Sequence, residues 1–343
     1  MSAHTSAHER HDTPENHEGH GDHGSHGGHE DHGSHGDHGS HRDHGGHGHT
    51  ATDADADWET LATHLETGAE LHLPAYRDTA TRLRALLGPG HPVRRVLDIG
   101  SGPGVMTGVF AETFPHAEAV AVDGTPALLA RALARAERLG LTGGRVSVRQ
   151  ARLPEDLAAL AGESGPGPAD LIWSSKAVHH IGDQQGALDA LAGLLRPGGL
   201  LAVAEGGLPM RYLPRDIGLG RPGLQARLDA AQEERFQAMR AGLPGSVRVR
   251  EDWPAMLGRA GLTAVGSFTS LLDLPAPLPG PGRAFLHSQL TRLRGAMTDQ
   301  LDAEDLATLD VLTDPEAAEG ILRRPDVFLL SAVTVFTGTR PAR

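Results

Sequence analysis

Along most of the chain, short runs of apolar residues alternate with segments whose apolar residues recur every three or four positions. The runs at 93–99, 117–122, 145–150, 169–174, 200–205, 262–272 and 327–337 predict strands. The segments between them predict helices. Val105, Met106, Val109, Phe110 and Phe114 share one face of the first. Thr125-Pro126 reads as N-cap and first-turn proline of a helix reaching Leu139, and Asp183 caps one reaching Leu195. Arg196-Pro-Gly-Gly199 is expected to stop that helix and reverse the chain into the fifth strand. Upstream, Trp58, Leu61, Ala62, Leu65 and Ala69 fit one helical face; after Pro74, so do Tyr76, Ala80, Leu83, Leu86 and Leu87. Further helices are expected at 224–241, 284–297 and 303–312, and one opening at Glu251-Asp-Trp-Pro254. Strands alternating with helices predict an α/β fold: a doubly wound, mostly parallel seven-stranded sheet with helices on both faces and ligands at the carboxyl ends of its strands.

The pattern also divides the chain. Residues 1–52, with nothing apolar to pack between His17 and His47, are expected to be a disordered tail. Residues 53–92 form two capping helices, 93–206 the regular core, 207–250 an insertion, and 251–343 the rest of the core with a helical insertion at about 275–325. In the tail, a histidine stands at every third position from His17 to His47, among Gly, Asp, Glu and Ser. His17, His20, His23, His26, His29 and His32 are therefore candidate ligands for Ni²⁺, Zn²⁺ or Cu²⁺. A solvated low-complexity segment with incidental affinity is the plainer reading. The tail has no fixed geometry, so no catalytic metal is assigned to it, and none is expected in the folded core.

The densest chemistry lies at Asp98-Ile-Gly-Ser-Gly-Pro-Gly104, where an acid ends the first strand and glycines follow at alternate positions. Such a turn lets a ligand approach the backbone closely. A dinucleotide-binding turn would read G-x-G-x-x-G, which is absent here; an acid at the strand end repels a pyrophosphate and attracts an ammonium group. About twenty residues on, the second strand ends at Asp123, placed as a ribose-binding acid is in such folds. After the fourth strand comes Ser174-Ser-Lys-Ala-Val-His-His-Ile181. The glycine loop, Asp123 and the Arg-Pro-Gly-Gly turn, in this order and register, resemble the class I S-adenosylmethionine (SAM)-dependent methyltransferases.

The resemblance covers 93–206 well and 250–272 weakly, and it implies SAM as cofactor. Asp98, Gly100, Ser101, Gly102 and Gly104 would hold its methionine end, Asp123 and Gly124 its ribose, with Ala151, Arg152 and Ser174 completing the site. Arg152 stands where the family has an acid that accepts from adenine, and arginine cannot accept a hydrogen bond. Glu155, Asp156 or a backbone carbonyl would take over, or adenine is held by apolar contact and stacking on Arg152. His179 and His180 lie near the transferring methyl and suit a general base, although ordering the loop is the plainer role. Lys176 is a similar case. Trp58, His64, His72 and Tyr76 are candidate pocket residues, each with packing as the alternative. The insertions imply helical lids over the acceptor; the second either enlarges the lid or forms a homodimer interface.

Composition narrows the acceptor. The 343 residues carry a net charge of −13 and no cysteine. There is thus no disulfide and no thiolate, which excludes the cysteine-dependent cytosine-C5 mechanism. An acidic chain is a poor match for nucleic acid. No Asn/Asp-Pro-Pro-Tyr/Phe motif follows the fourth strand, against amino-methylating DNA enzymes. No apolar run reaches the ~20 residues of a membrane helix, and no signal pattern opens the chain, so a cytoplasmic location without membrane association is expected. The expected function is methyl transfer (a transferase, EC 2.1.1.-) to an O, N or C nucleophile of a small molecule. The alternative is a Ni/Zn/Cu-binding protein whose histidine tail is the functional part, on a SAM-binding or degenerate scaffold.

Overall fold

The computed structural model describes residues 51–141, 143–160, 162 and 165–342, with the backbone alone for 51–58. The histidine tail and its expected metal ligands lie outside the described residues, as does the side chain of Trp58. Two helices, α1 (Ala51–Leu71) and α2 (Leu73–Leu87), lead into β1 (Arg95–Ile99). Then follow α3 (Val105–Thr113), β2 (Glu118–Asp123), α4 (Pro126–Arg138), β3 (Val146–Gln150), α5 (Leu157–Leu160), β4 (Ala169–Ser175), a 3₁₀ turn (Val178–His180), α6 (Gln184–Gly193) and β5 (Leu195–Ala204). The remainder is β6 (Leu208–Arg211), α7 (Leu224–Gly242), α8 (Trp253–Arg259), β7 (Thr263–Leu274), α9 (Gly280–Ala296), α10 (Ala303–Thr313) and β8 (Leu329–Thr339).

The sheet runs β3-β2-β1-β4-β5-β8, with β7 on the far edge of β8. β1 to β5 pair in parallel and β8 pairs antiparallel to its neighbours. All seven predicted strands are present. The short β6 is an addition: it continues the line of β5 and pairs with the part of β8 that β5 leaves open.

Alternation within the strands sorts side chains into two cores. Val96, Ala119, Leu171, Trp173 and Ala202 face α2 and α3, where Leu83, Val109 and Phe110 meet them. Leu97, Ile99, Val120, Ile172, Leu201 and Val203 face α6 and α8, where Leu188, Leu191, Met256 and Leu257 meet them. With both faces covered, these strands read as near-continuous apolar runs.

Pro74 marks the junction of the two helices as expected, from the first turn of α2. Two local expectations change. Thr125 is the N-cap of α4, but its hydroxyl makes no capping bond; the carboxylate of Asp123 takes its N–H instead. Arg196-Pro-Gly-Gly199 does not end the helix. Leu195 already pairs with Ala169, and the four residues form a bulge before Leu200 pairs with Leu171. Asp183 does cap α6, accepting from the N–H of Gly186 at 2.9 Å.

The two insertions meet in a third core. Leu224 and Leu228 of α7, Phe285, Leu286 and Leu290 of α9, and Leu309 and Leu312 of α10 pack together against Leu272 and Leu329. Arg227 of α7 forks onto the buried Asp305 of α10 at 2.6 and 2.7 Å, tying them further. No described helix is long and apolar enough to cross a membrane.

Helix α1 is held to α4 by ions. Glu66 accepts from Arg131 at 3.0 Å and Arg138 at 2.9 Å, and Glu70 accepts from Arg135 at 2.6 Å. Networks of this kind outperform isolated surface pairs. Glu66→Ala is expected to raise amide exchange within α1 about tenfold, a change near 1.4 kcal/mol in local opening, while amides of β1 and β4 stay protected. Hydrogen exchange read by mass spectrometry checks this; unchanged exchange in α1 would mean that apolar contact alone holds it.

Candidate functional site

A cavity of about 900 Å³ opens at the carboxyl ends of β1, β2 and β4. Loops gather there because a parallel sheet delivers its strand ends to one side. The cavity extends between α1, α2, β7, β8 and α9, so α9 enlarges the enclosure over the sheet.

One end is built from the glycine loop. Gly100, Gly102 and Gly104 have φ of +70°, +54° and +73°, the left-handed region that side chains other than hydrogen resist. A Cβ on Gly102 would meet nothing within 4 Å, whereas one on Gly104 would lie 2.5 Å from Ala132 Cβ. The loop is pinned by Asp123: its Oδ2 accepts from Gly102 N–H at 3.0 Å and its Oδ1 from Thr125 N–H at 2.8 Å. A carboxylate has about four acceptor sites, so two remain for a ligand's hydroxyls.

Asp98 lies beneath the loop, fully buried, and accepts from the hydroxyl of Thr107 at 2.6 Å. Burial pushes its carboxyl up to about 7; the Thr107 hydrogen bond opposes this and the nearby Asp123 charge adds to it. A buried carboxyl that faces a cavity and is held by Thr107, through its hydroxyl and its backbone N–H, is set to receive a cation.

The other end is mostly apolar, with Leu61, Leu65, Met210, Leu272, Phe285 and Val333 on its wall. Its polar groups are few. His72 donates from Nδ1 to the Gly68 carbonyl at 2.8 Å, which leaves Nε2 to accept from Ser331 at 3.1 Å. His64 stacks on Phe285 and donates from Nε2 to Gln289 at 2.9 Å; its buried Nδ1 has no partner among the described residues. Burial lowers the pKa of both imidazoles, so both are neutral at pH 7. Tyr76 also lines the cavity, its phenol pushed up to about 12 by burial and by Asp98.

The segment after β4 supplies the remaining wall. Lys176 faces the cavity with its side chain accessible from it; desolvation by the surrounding wall lowers its pKa, and Glu205 opposes this. Of the histidine pair, the 3₁₀ turn sends His180 to the cavity and turns His179 away. His179 Nδ1 meets Glu205 at 2.7 Å, and the second oxygen of Glu205 accepts from Val178 N–H at 3.1 Å. Burial first, then His179, lowers the pKa of His180. Arg240 fixes the turn by donating to the carbonyls of His179 and Ile181 at 2.8 and 2.6 Å.

Of the residues read from sequence, Asp98, Gly100, Ser101, Gly102, Asp123, Gly124, Ala151 and His180 line the cavity together. Gly104, Arg152, Ser174 and His179 are not on its wall. Gly104 packs on Ala132. Ser174 is buried in β4, and Ser175 faces the cavity in its place. Arg152 is exposed, and its N–H donates to Asp156 Oδ2 at 2.8 Å, so Asp156 folds back on the chain. Sequence reasoning missed Thr107 and Glu205. Thr107 carried a signal, a hydroxyl in the first turn after the glycine loop; Glu205 carried none beyond its place at the end of a strand.

Residues 97–201 match the family model described as a methyltransferase domain. Trans-aconitate 2-methyltransferase of Methylobacterium radiotolerans is 35% identical over 131 residues, which are 37% of this chain and 45% of that protein. The enzyme of the same name from Methylobacterium nodulans is 33% identical over 183 residues, 52% of this chain and 62% of that protein. This chain thus spans about half the length of the curated relatives it matches. Among solved structures, a phosphoethanolamine N-methyltransferase of Haemonchus contortus in complex with SAM is 17% identical, with a TM-score of 0.41 over 77% of this chain and 52% of that one.

Proposed function

We propose that this chain, whose residues 97–201 form a methyltransferase domain of the class I SAM-dependent family, transfers a methyl group to a small molecule enclosed beneath α1 and α9. The cofactor is SAM. When bound, it supplies a methyl carbon on a sulfonium; a nucleophile takes the carbon in line, sulfur keeps the bonding pair, and S-adenosylhomocysteine remains.

What carries the reading is the loop end of the cavity. Gly102 opens onto empty space, Asp123 keeps two acceptor sites for a ribose diol, and Asp98 waits for the cationic methionine end. The chain's own part in the reaction is to exclude water and align the acceptor, which α1, α2 and α9 do by enclosing it. Where an acceptor carries a proton, His180, on the wall and neutral, is placed to take it; His179, held by Glu205, orients the turn. Trans-aconitate, for which the relatives are named, carries three carboxylates. The wall offers a single Lys or Arg, Lys176, among the described residues, so this acceptor is not favoured here.

Calorimetric titration of S-adenosylhomocysteine into the full chain, with a chelator present to keep the tail metal-free, tests the cofactor site. Micromolar affinity is expected, weakened tenfold or more by Asp123→Ala. An affinity untouched by that change would mean that the ligand lies elsewhere.

A further inference from the structure

The cavity wall after β4 holds one feature that the cofactor does not explain. Lys176 is the only lysine in the chain, and it is the only Lys or Arg on the cavity wall among the described residues. Its backbone has φ +51°, a left-handed conformation that a long side chain adopts at a cost and that Asn or Gly adopts more easily. A strained backbone at a cavity points to a task for its side chain.

The surroundings of its ammonium are lopsided. It makes no hydrogen bond or ion pair with any described residue; the buried Glu205 attracts it from beyond contact distance. The neighbouring titratable groups supply no negative charge: His72 and His180 are uncharged and Tyr76 keeps its proton. Asp98 and Asp123 share the cavity wall, but neither forms an ion pair with Lys176. A cation on a cavity wall that no protein anion contacts is open to an anion delivered by a ligand.

We propose that Lys176 binds the reacting oxygen of the acceptor, and that the acceptor is a monoanion: one carboxylate or one ionised phenolic hydroxyl on an otherwise apolar body. The proposal rests on the methyl-transfer reading above. One cation among apolar walls matches one negative charge. A tricarboxylate would place its remaining charges against Leu61, Leu65, Phe285 and Val333, and toward Asp98 and Asp123. The chemistry balances without a base. The oxyanion bonds to the methyl carbon, the carbon–sulfur bond breaks, and sulfur keeps the pair. The negative charge on oxygen and the positive charge on sulfur vanish together, no proton moves, and the products are a methyl ester or ether and S-adenosylhomocysteine.

The test uses the full chain saturated with S-adenosylhomocysteine. The probe is 4-nitrophenol, whose ionised form absorbs in the visible, with benzoate and citrate as competitors. The protein is expected to bind the phenolate in preference to the phenol, and Lys176→Met to weaken that binding tenfold or more. Lys176→Asn should show the same loss while keeping or raising the melting temperature, because asparagine relieves the left-handed strain. Both variants should bind S-adenosylhomocysteine within about twofold of the wild type. Benzoate should displace the probe and citrate should not; displacement by benzoate in preference to pentafluorophenol, which like the probe is ionised near neutral pH, would assign the carboxylate source, and the reverse order the phenolate. Absence of phenolate binding, equal binding by Lys176→Met, or displacement by citrate better than by benzoate would each overturn the proposal. Failure to bind S-adenosylhomocysteine, with Lys176-dependent phenolate binding intact in the free protein, would overturn the methyl-transfer reading and leave the anion site standing.

Discussion

Asp98→Asn is expected to cost about a hundredfold in S-adenosylhomocysteine affinity at pH 8 while making the free protein more stable at that pH. Both effects come from one buried carboxyl. Its folded pKa is about 7, raised chiefly by burial, against an ordinary value of 3.8. Between those two values the folded chain holds a proton that the unfolded chain has released, so stability falls as pH rises through the window. A shift of this size is worth up to about 4 kcal/mol once pH exceeds 7. Asparagine carries no such penalty and keeps an oxygen to accept from Thr107, so its melting temperature should exceed the wild type's at pH 8 and approach it near pH 5. Binding runs the other way. The ligand's ammonium favours the ionised carboxyl, so below pH 7 the free protein must release a proton to bind. Wild-type affinity should fall about fivefold from pH 7 to pH 6. The cavity imidazoles His64, His72 and His180 titrate below the ordinary histidine range, and they are present in both proteins. Calorimetry on the two proteins therefore isolates Asp98. An equal pH slope in both would place the cation elsewhere.

What was legible in the sequence was local. Each of the seven strands announces itself as an apolar run, because a strand covered on both faces has no polar side to show. The glycine loop and Asp123 are legible because turn geometry fixes residue type. What was not legible depends on distant partners. β6 exists because β8 is longer than the part of β5 that pairs with it, and residues 208–211 take the open edge. Nothing within that short stretch states this. Likewise, the insertions at 207–250 and 275–325 look like separate excursions in sequence, yet Leu228 and Leu290 end in one core. The histidine pair was visible, but which member faces the cavity is decided by the 3₁₀ turn and by Glu205, 26 residues away from His179. Arg152 was read against the family's adenine acid; its exposed side chain and the folded-back Asp156 leave Ala151 and Leu153 as the cavity wall at that point.

The three glycines of the loop, alike in sequence, are expected to part company when each receives a methyl group. Gly104→Ala should be the most destabilising. Its φ of +73° costs an alanine about 1–2 kcal/mol, and the new Cβ would sit 2.5 Å from Ala132 Cβ and 3.0 Å from Ala132 Cα, a backbone atom of α4 that cannot swing aside. A total of about 3–5 kcal/mol is expected in urea unfolding. Gly100→Ala meets a single side-chain atom, Ala177 Cβ at 2.6 Å, and Ala177→Gly should relieve part of the loss when the two are combined. Gly102→Ala has only the backbone cost, because nothing lies within 4 Å of its Cβ. It should unfold within about 2 kcal/mol of the wild type. Yet its methyl group points into the space assigned to the cofactor, and S-adenosylhomocysteine affinity should drop tenfold or more. Two glycines would thus serve close packing of the loop, on Ala177 and on α4, and the middle one close approach of a ligand. A Gly102→Ala protein that binds as tightly as the wild type would separate the loop from the cofactor and return the glycine pattern to a purely structural meaning.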